Sequence, residues 1–273
     1  MSSVTINVPS PEIVLPQPIL LRHDAGGVAT LTLNRPKQFN ALSSAMLDKL
    51  QAALDHIAES RSVRVVVIAG EGKAFCAGHD LKELRAHPDE GWQRELFGAC
   101  SRVMVKLTEL PQPVIARVHG IAAAAGCQLV AQCDLAVTVD AAQFATSGVK
   151  YGLFCSTPGV ALARNVARKQ AMEMLLTGEF IDAQTALRYG LVNRVVSPEA
   201  LDAEIDKLAQ SIIAKTPVAV ALGKKAFYEQ IENSLEDAYR LATETMTCNM
   251  MTDDAAEGVA AFIEKRDPQW RGS

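Results

Sequence analysis

Two stretches of small residues in this 273-residue chain have the composition of backbone that could meet an anion. One is GEGKAFCAGHDL, Gly70–Leu81; the other is HGIAAAAGCQL, His119–Leu129. Glycine and alanine keep side chains out of the way, so the main chain can approach a ligand. The N–H groups at a helix start are free to donate and sit at the positive end of the helix dipole. Two such loops side by side would aim two N–H groups at one oxygen. That is an oxyanion hole, in which each donor is worth roughly 3–4 kcal/mol when charge develops on the oxygen. The same residues also serve tight strand–helix packing, and residue types alone leave both readings open. Other glycine motifs fit worse. Gly70-Glu71-Gly72 lacks the third glycine of a dinucleotide fingerprint, and neither GxxxxGK[ST] nor GxSxG occurs.

The elements that would carry these loops are legible from pattern. Ile19–Arg22 and Val28–Leu33 flank a glycine turn and read as a β-hairpin. Asn34–Asn40 is a loop, and Ser43 caps a helix running to about Ser60. Val63–Ala69, Pro113–Val118 and Leu135–Val139 are β-branched, nearly all-apolar runs, as strands covered on both faces are. Gly70–Asp80 reads as a loop, about Glu90–Leu110 as a helix, and Ala122–Gln132 as helical. Helices follow after Thr157-Pro158, near Lys169–Leu176 and over Asp182–Tyr189, and Val192–Val196 is a further strand. This βα alternation predicts a largely parallel, layered α/β core.

After Ser197-Pro198 the pattern is all helix, with further starts at Thr216-Pro217 and at Ser234 with Asp237. The expected division is a loose arm over 1–18, a core over 19–196 and a helical region over 197–273. Stripes at Ala238, Leu241, Ala242 and Met246, and at Val259, Phe262 and Ile263, must bury against the core or another subunit.

Net charge is −4 with a pI near 5.8, so a broad nucleic-acid surface is not expected. The six cysteines form no CxxC pair and read as free thiols in a reducing compartment, and the five histidines do not cluster at metal-ligand spacing. The first 18 residues hold Pro9, Pro11, Pro16 and Pro18 with no apolar signal region, and no apolar run is long enough to span a membrane. The expected location is cytoplasmic.

At these residues the chain resembles the crotonase, or enoyl-CoA hydratase/isomerase, superfamily from about residue 19 onward. The resemblance is carried, in order, by NRPKQFNAL (Asn34–Leu42), GKAFCAGHDLKEL (Gly72–Leu84), QPVIARVHGIAAAAGCQLVAQCD (Gln112–Asp134), TGEFIDAQTALRYGLVNRVV (Thr177–Val196) and AAFIEKR (Ala260–Arg266). The wording GHDLKEL and GLFCSTPGVALAR is similar to the mitochondrial enoyl-CoA hydratase domain-containing subgroup. The resemblance implies an α/β fold, a ClpP-like spiral of ββα units, with a C-terminal helical region that builds a homotrimer or homohexamer. It implies an acyl-CoA thioester as ligand, with no cofactor beyond the CoA that is part of the substrate, and no metal. It maps the oxyanion amides onto His79 and Ala125 and contacts to CoA onto Lys37, Phe39, Ala41 and Ala77. Gly78, Asp80, Leu81 and Ser156 fall in the same binding segments, and Phe262 and Lys265 map onto residues that reach a neighbouring subunit's CoA.

The resemblance also exposes a departure. A hydratase of this family uses two glutamates, and here those positions are Gln128 and Gly148. An amide holds a water but neither accepts nor delivers a proton near pH 7. Proton transfer typically contributes ~10²–10⁴-fold, so ordinary hydration is expected to be weak or absent. In a pocket shaped as a hydratase's, glutamate at both positions should raise it. His79 is a candidate base, or it contributes only its N–H while its ring packs elsewhere. Asp80 reads mainly as a cap, Glu95 as a solvated side chain, His119 as structural, and Ser156 or Thr157 as an acyl contact or a helix cap. Cys155 has no evident histidine partner. Ala125 stands where most relatives have glycine, which is tolerable if its φ is negative.

The reading is an acyl-CoA-binding member of this family, a lyase or isomerase with non-standard acid–base residues, acting through an enolate held by two amides. Two alternatives stay open: a non-catalytic acyl-CoA-binding or assembly protein, and a conventional enoyl-CoA hydratase of fatty-acid degradation.

Overall fold

The computed structural model describes residues 17–273. Most of the expected arm over 1–18 lies outside the described residues.

The chain begins with the hairpin β1 (Leu20–Ala25) and β2 (Val28–Leu33), followed by α1 (Ser44–Ala58). The Ser43 side chain accepts from the Met46 N–H, and α1 buries Met46, Leu47, Leu50, Leu54 and Ile57 along one face. Then come β3 (Val65–Gly70), β4 (Ala74–Cys76), α2 (Leu81–Ala86), α3 (Glu90–Glu109), β5 (Val114–Val118), β6 (Ile121–Ala123) and α4 (Ala125–Gln132). The core closes with β7 (Leu135–Val139), β8 (Gln143–Ala145), α5 (Ser156–Asn165), α6 (Arg168–Thr177), β9 (Ile181–Asp182), α7 (Ala183–Tyr189) and β10 (Arg194–Val196). Four helices follow: α8 (Leu201–Ile213), α9 (Pro217–Gln230), α10 (Leu235–Met250) and α11 (Asp253–Glu264).

The strands form two sheets. The larger runs β1-β2-β3-β5-β7-β10, parallel from β2 onward; the smaller runs β4-β6-β8-β9, parallel from β4 to β8. The chain climbs as a repeating unit: one strand of the large sheet, one short strand of the small sheet, then helix. Because β3, β5 and β7 are neighbours in one sheet, β4, β6 and β8 are neighbours in the other. Each small strand therefore delivers its following turn to the same side.

Two expectations are corrected here. Gly70–Asp80 is not all loop, since Ala74–Cys76 pairs with β6. Ala122–Gln132 is not one helix: Ile121–Ala123 is strand, and the helix starts only at Ala125. An alanine run carries helix propensity, but parallel pairing on both sides, with β4 and β8, overrides it. The short α2 also goes unread, because six residues are too few for a periodic signal.

The C-terminal helices are joined to the core by a buried polar node. Lys224 on α9 donates to the Leu107 carbonyl at 2.7 Å, the Gln112 carbonyl at 3.0 Å and Asp134 Oδ2 at 2.7 Å. Tyr228 donates to Asp134 Oδ1 at 2.8 Å, and the Val114 N–H donates to Asp134 Oδ2 at 2.6 Å. Burial pulls the Lys224 ammonium below its usual range, although Asp134 opposes that. Removing one partner would leave the other charge buried and unpaired. Lys224→Ala should therefore lower the unfolding free energy by about 3 kcal/mol in urea titration. A loss under about 1 kcal/mol would show that this node does not hold the helices to the core.

Candidate functional site

The site is built where β4 and β6 end. After β4 the chain passes Ala77 and Gly78, with Gly78 at φ +98. After β6 it passes Ala124, at φ +49 and ψ −118, and enters α4 at Ala125. Only glycine adopts the Gly78 conformation without strain. The two turns touch: a Cβ on Gly78 would lie 2.9 Å from the Ala124 Cβ and 3.2 Å from the Ala125 nitrogen. A Cβ on Gly126 would lie 2.0 Å from the Cys76 carbonyl oxygen, so a glycine at the second position of α4 lets the helix seat directly on β4.

The loop before α1 fixes the first turn from behind. The Ala77 N–H donates to the Phe39 carbonyl, the Leu42 N–H to the Gly78 carbonyl, and the Asp80 N–H to the Leu42 carbonyl. Buried Asn40, at φ +55, accepts from the Arg35 N–H and donates to the carbonyls of Glu71 and Ala74, both at 2.8 Å. Arg35 donates to the Ala41 carbonyl at 2.9 Å and pairs with Asp80 at 3.0 Å. These contacts use the backbone on both sides of His79 but not its own N–H. Neither the His79 N–H nor the Ala125 N–H donates to a protein acceptor among the described residues. Arg35 and Asn40 are the site-forming residues that sequence reasoning missed, and only their place in NRPKQFNAL hinted at them.

A cleft of about 470 Å³ opens beside these amides. Ala77, His79, Leu81, Ala125, Gly148 and Ser156 all line it. Leu84, Phe97, Leu153 and Phe154 make its wall largely apolar, and among the described residues no Asp, Glu, Lys or Arg lines it. Lys37, Phe39, Ala41, Gly78 and Asp80 stand behind or beside it in the supporting loops rather than in its lining. Phe262 lies on α11 and Lys265 caps that helix at φ +57, also outside the lining.

His79 is half-buried, its ring edge-on to Phe97 with centroids 5.2 Å apart. Burial pushes its pKa down to about 4, against a smaller opposing effect of Glu83, so the ring is neutral at pH 7. Asp80 is a helix cap, as read: it accepts from the N–H groups of Lys82 and Glu83. Glu95 pairs with Arg102 on the α3 surface, and a His119 ring nitrogen meets the Gly72 carbonyl at 2.9 Å. Cys155, not Ser156 or Thr157, occupies the cap position of α5, without a capping bond. The positive φ falls on Ala124 rather than Ala125, so the β-carbon of Ala125 is unstrained.

Gln128 sits one turn into α4, on the face of Ala125, and is 4% exposed with Oε1 unpartnered. Thr146, just after β8, is 0% exposed and its Oγ1 is also unpartnered. Gly148 has no room for a side chain, since a Cβ would meet the Leu153 carbonyl oxygen at 2.4 Å and Cys155 Sγ at 2.8 Å. The Gly148 N–H donates to that sulfur at 3.3 Å.

A sequence profile of the "Enoyl-CoA hydratase/isomerase" family matches residues 23–273. A curated relative from Xenopus laevis, "Enoyl-CoA hydratase domain-containing protein 3, mitochondrial", is 48% identical over 94% of this chain and 87% of its own length. A solved enoyl-CoA hydratase from Mycobacterium smegmatis is 60% identical, covers 93% of this chain and 99% of its own, and superposes with a TM-score of 0.92. The human enoyl Coenzyme A hydratase domain-containing protein 3 is 46% identical, covers 93% of this chain and all of its own, and superposes with a TM-score of 0.90. The expected crotonase spiral is thus the fold of this chain. The expected cytoplasmic location does not stand, because relatives from frog, rat, mouse, human and zebrafish are named mitochondrial. Free thiols separate reducing from oxidising compartments, and both cytosol and mitochondrial matrix are reducing.

The packing at Gly148 decides the fate of restored acids. Gln128→Glu with Gly148→Glu should give no gain in crotonyl-CoA hydration and should destabilise the fold by about 1–3 kcal/mol, since the added side chain enters filled space. A clear rise in the hydration rate, followed at the enoyl absorbance, would show that the loop opens to admit the carboxylate.

Proposed function

This chain belongs to the enoyl-CoA hydratase/isomerase family, and from that premise we propose that it binds an acyl-CoA thioester and stabilises its enolate, with ordinary hydration weak or absent. The observation that carries this reading is the pair of unoccupied N–H groups, His79 and Ala125, set against each other at an apolar cleft that holds no carboxylate. Chemistry at the α or β carbon of a thioester places negative charge on the thioester oxygen. Preorganised amides favour that charged state over the neutral substrate, which is what lowers a barrier. The apolar wall supports an uncharged acyl group, because a buried carboxylate there would lack a cation.

Trimer or hexamer assembly belongs to the same proposal. Phe262 is 85% exposed and Ile263 72%, on a helix whose other face packs inward through Asp254 and Ala261. Leu235, Tyr239, Met246 and Met250 of α10 are likewise exposed. Apolar surface of this extent on consecutive helices marks an interface.

Calorimetry with butyryl-CoA tests the ligand class: saturable binding is expected, together with crotonyl-CoA hydration at least about 10²-fold slower than by a hydratase with both glutamates. Failure to bind any uncharged acyl-CoA would overturn the reading, and hydration at a normal rate would overturn its second half. For assembly, light scattering should give a trimer or hexamer, and Phe262→Asp with Ile263→Asp should shift it toward monomer. A monomeric wild type would refute the interface.

A further inference from the structure

Among the described residues no carboxylate lines the cleft, yet enolate formation needs a group that takes a proton from carbon. Its protic lining side chains are Ser147, Tyr151, Cys155, Ser156, Thr157 and His79. The serine and threonine hydroxyls are far too weakly basic, and none has a histidine or carboxylate beside it in the hydrogen-bond network. Tyr151 is largely exposed. Burial pushes the Cys155 thiol up, and its sulfur already accepts from the Gly148 N–H. That leaves the imidazole.

We infer that the His79 side chain removes and returns the α-proton of the bound acyl thioester, in place of the family's glutamates. The inference rests on the reading that this cleft holds a CoA thioester. His79 carries one of the two oxyanion amides on its own backbone, so its ring is tethered by a single side chain to the point where the thioester oxygen binds. The acyl α-carbon lies next to that carbonyl carbon. The ring is held edge-on against Phe97, and neither nitrogen bonds to protein among the described residues; Nε2 alone is sealed from solvent. No protein partner fixes the tautomer at either nitrogen, and the form with its lone pair on the solvent-accessible Nδ1 is the one able to take a proton from a bound ligand.

Burial pushes the pKa of the ring down to about 4, so at pH 7 it is unprotonated and able to accept a proton. Being neutral, it also avoids placing a negative charge beside the developing enolate. In the step, Nδ1 takes the α-proton and the C–H electron pair becomes the Cα=C bond. The carbonyl π pair moves to oxygen, where the His79 and Ala125 N–H groups hold it. The imidazolium exchanges its new proton with solvent and returns one to the carbon. In D2O the net change is one α-hydrogen for one deuterium, with no oxidant or reductant.

Butyryl-CoA in D2O, followed by proton NMR with binding measured separately by calorimetry, tests this. The wild type should wash out the α-proton signal. His79→Phe keeps an aromatic ring against Phe97 and keeps the backbone N–H, and it should slow exchange by ~10²-fold or more while the Kd changes less than about tenfold. His79→Gln, which can hydrogen-bond but not take a proton, should be equally slow. Exchange at the wild-type rate in either variant overturns the inference, as does a wild type that binds butyryl-CoA without accelerating exchange. A wild type that does not bind overturns the thioester reading and this inference with it.

Discussion

The parallel pairing of β4 with β6 is the constraint on which the site depends. It brings two turns from distant parts of the chain into van der Waals contact, Gly78 against Ala124 and the Ala125 nitrogen. Nothing in either turn alone makes a binding site. Each turn leaves one N–H, that of His79 and that of Ala125, without a protein acceptor among the described residues. The hydrogen bonds that hold the arrangement come from behind, through Asn40 and Arg35, so the front stays open. Preorganisation of this kind is completed during folding, and no reorganisation remains for the moment of reaction.

The second acid position follows from a different packing choice. The turn after β8 folds back so that the Leu153 carbonyl and Cys155 sulfur fill the space a side chain at 148 would need. The lack of room for a side chain at 148 is therefore a property of the whole 147–155 segment, not of that residue alone. Gln128 and Thr146 each present a buried oxygen with no protein partner, and leaving such a group unpaired costs about 1–3 kcal/mol.

Much of this was legible before any coordinates. The β-branched runs at Val63–Ala69, Pro113–Val118 and Leu135–Val139 identified the central strands, and Ser43 identified a helix cap, because burial and capping leave local signatures. The two small-residue loops pointed to turns that line one cleft. What stayed hidden was set by pairing at long range. The strand character of Ile121–Ala123 comes from β4 and β8, not from alanine, and the positive φ of Ala124 comes from the turn that follows. The role of Asn40 depends on Glu71 and Ala74 coming within reach. The closure of the space at Gly148 depends on a loop whose path no local pattern announces.

Magnitudes decide what such a site retains. An oxyanion donor contributes roughly 3–4 kcal/mol, and the proposed function uses two of them. A positioned acid or base contributes ~10²–10⁴-fold, or roughly 3–5 kcal/mol by the tenfold-per-1.4 kcal/mol relation. On these figures two positioned carboxylates and two oxyanion amides are comparable contributions, roughly 6–10 against roughly 6–8 kcal/mol. On the proposed function, a fold that holds β4 against β6 keeps its share of enolate stabilisation in the backbone, where side-chain substitution does not reach it. The side chains are then free to change what happens to the enolate. Around the two turns this chain carries a buried amide at Gln128, a closed turn at Gly148 and a neutral imidazole at His79.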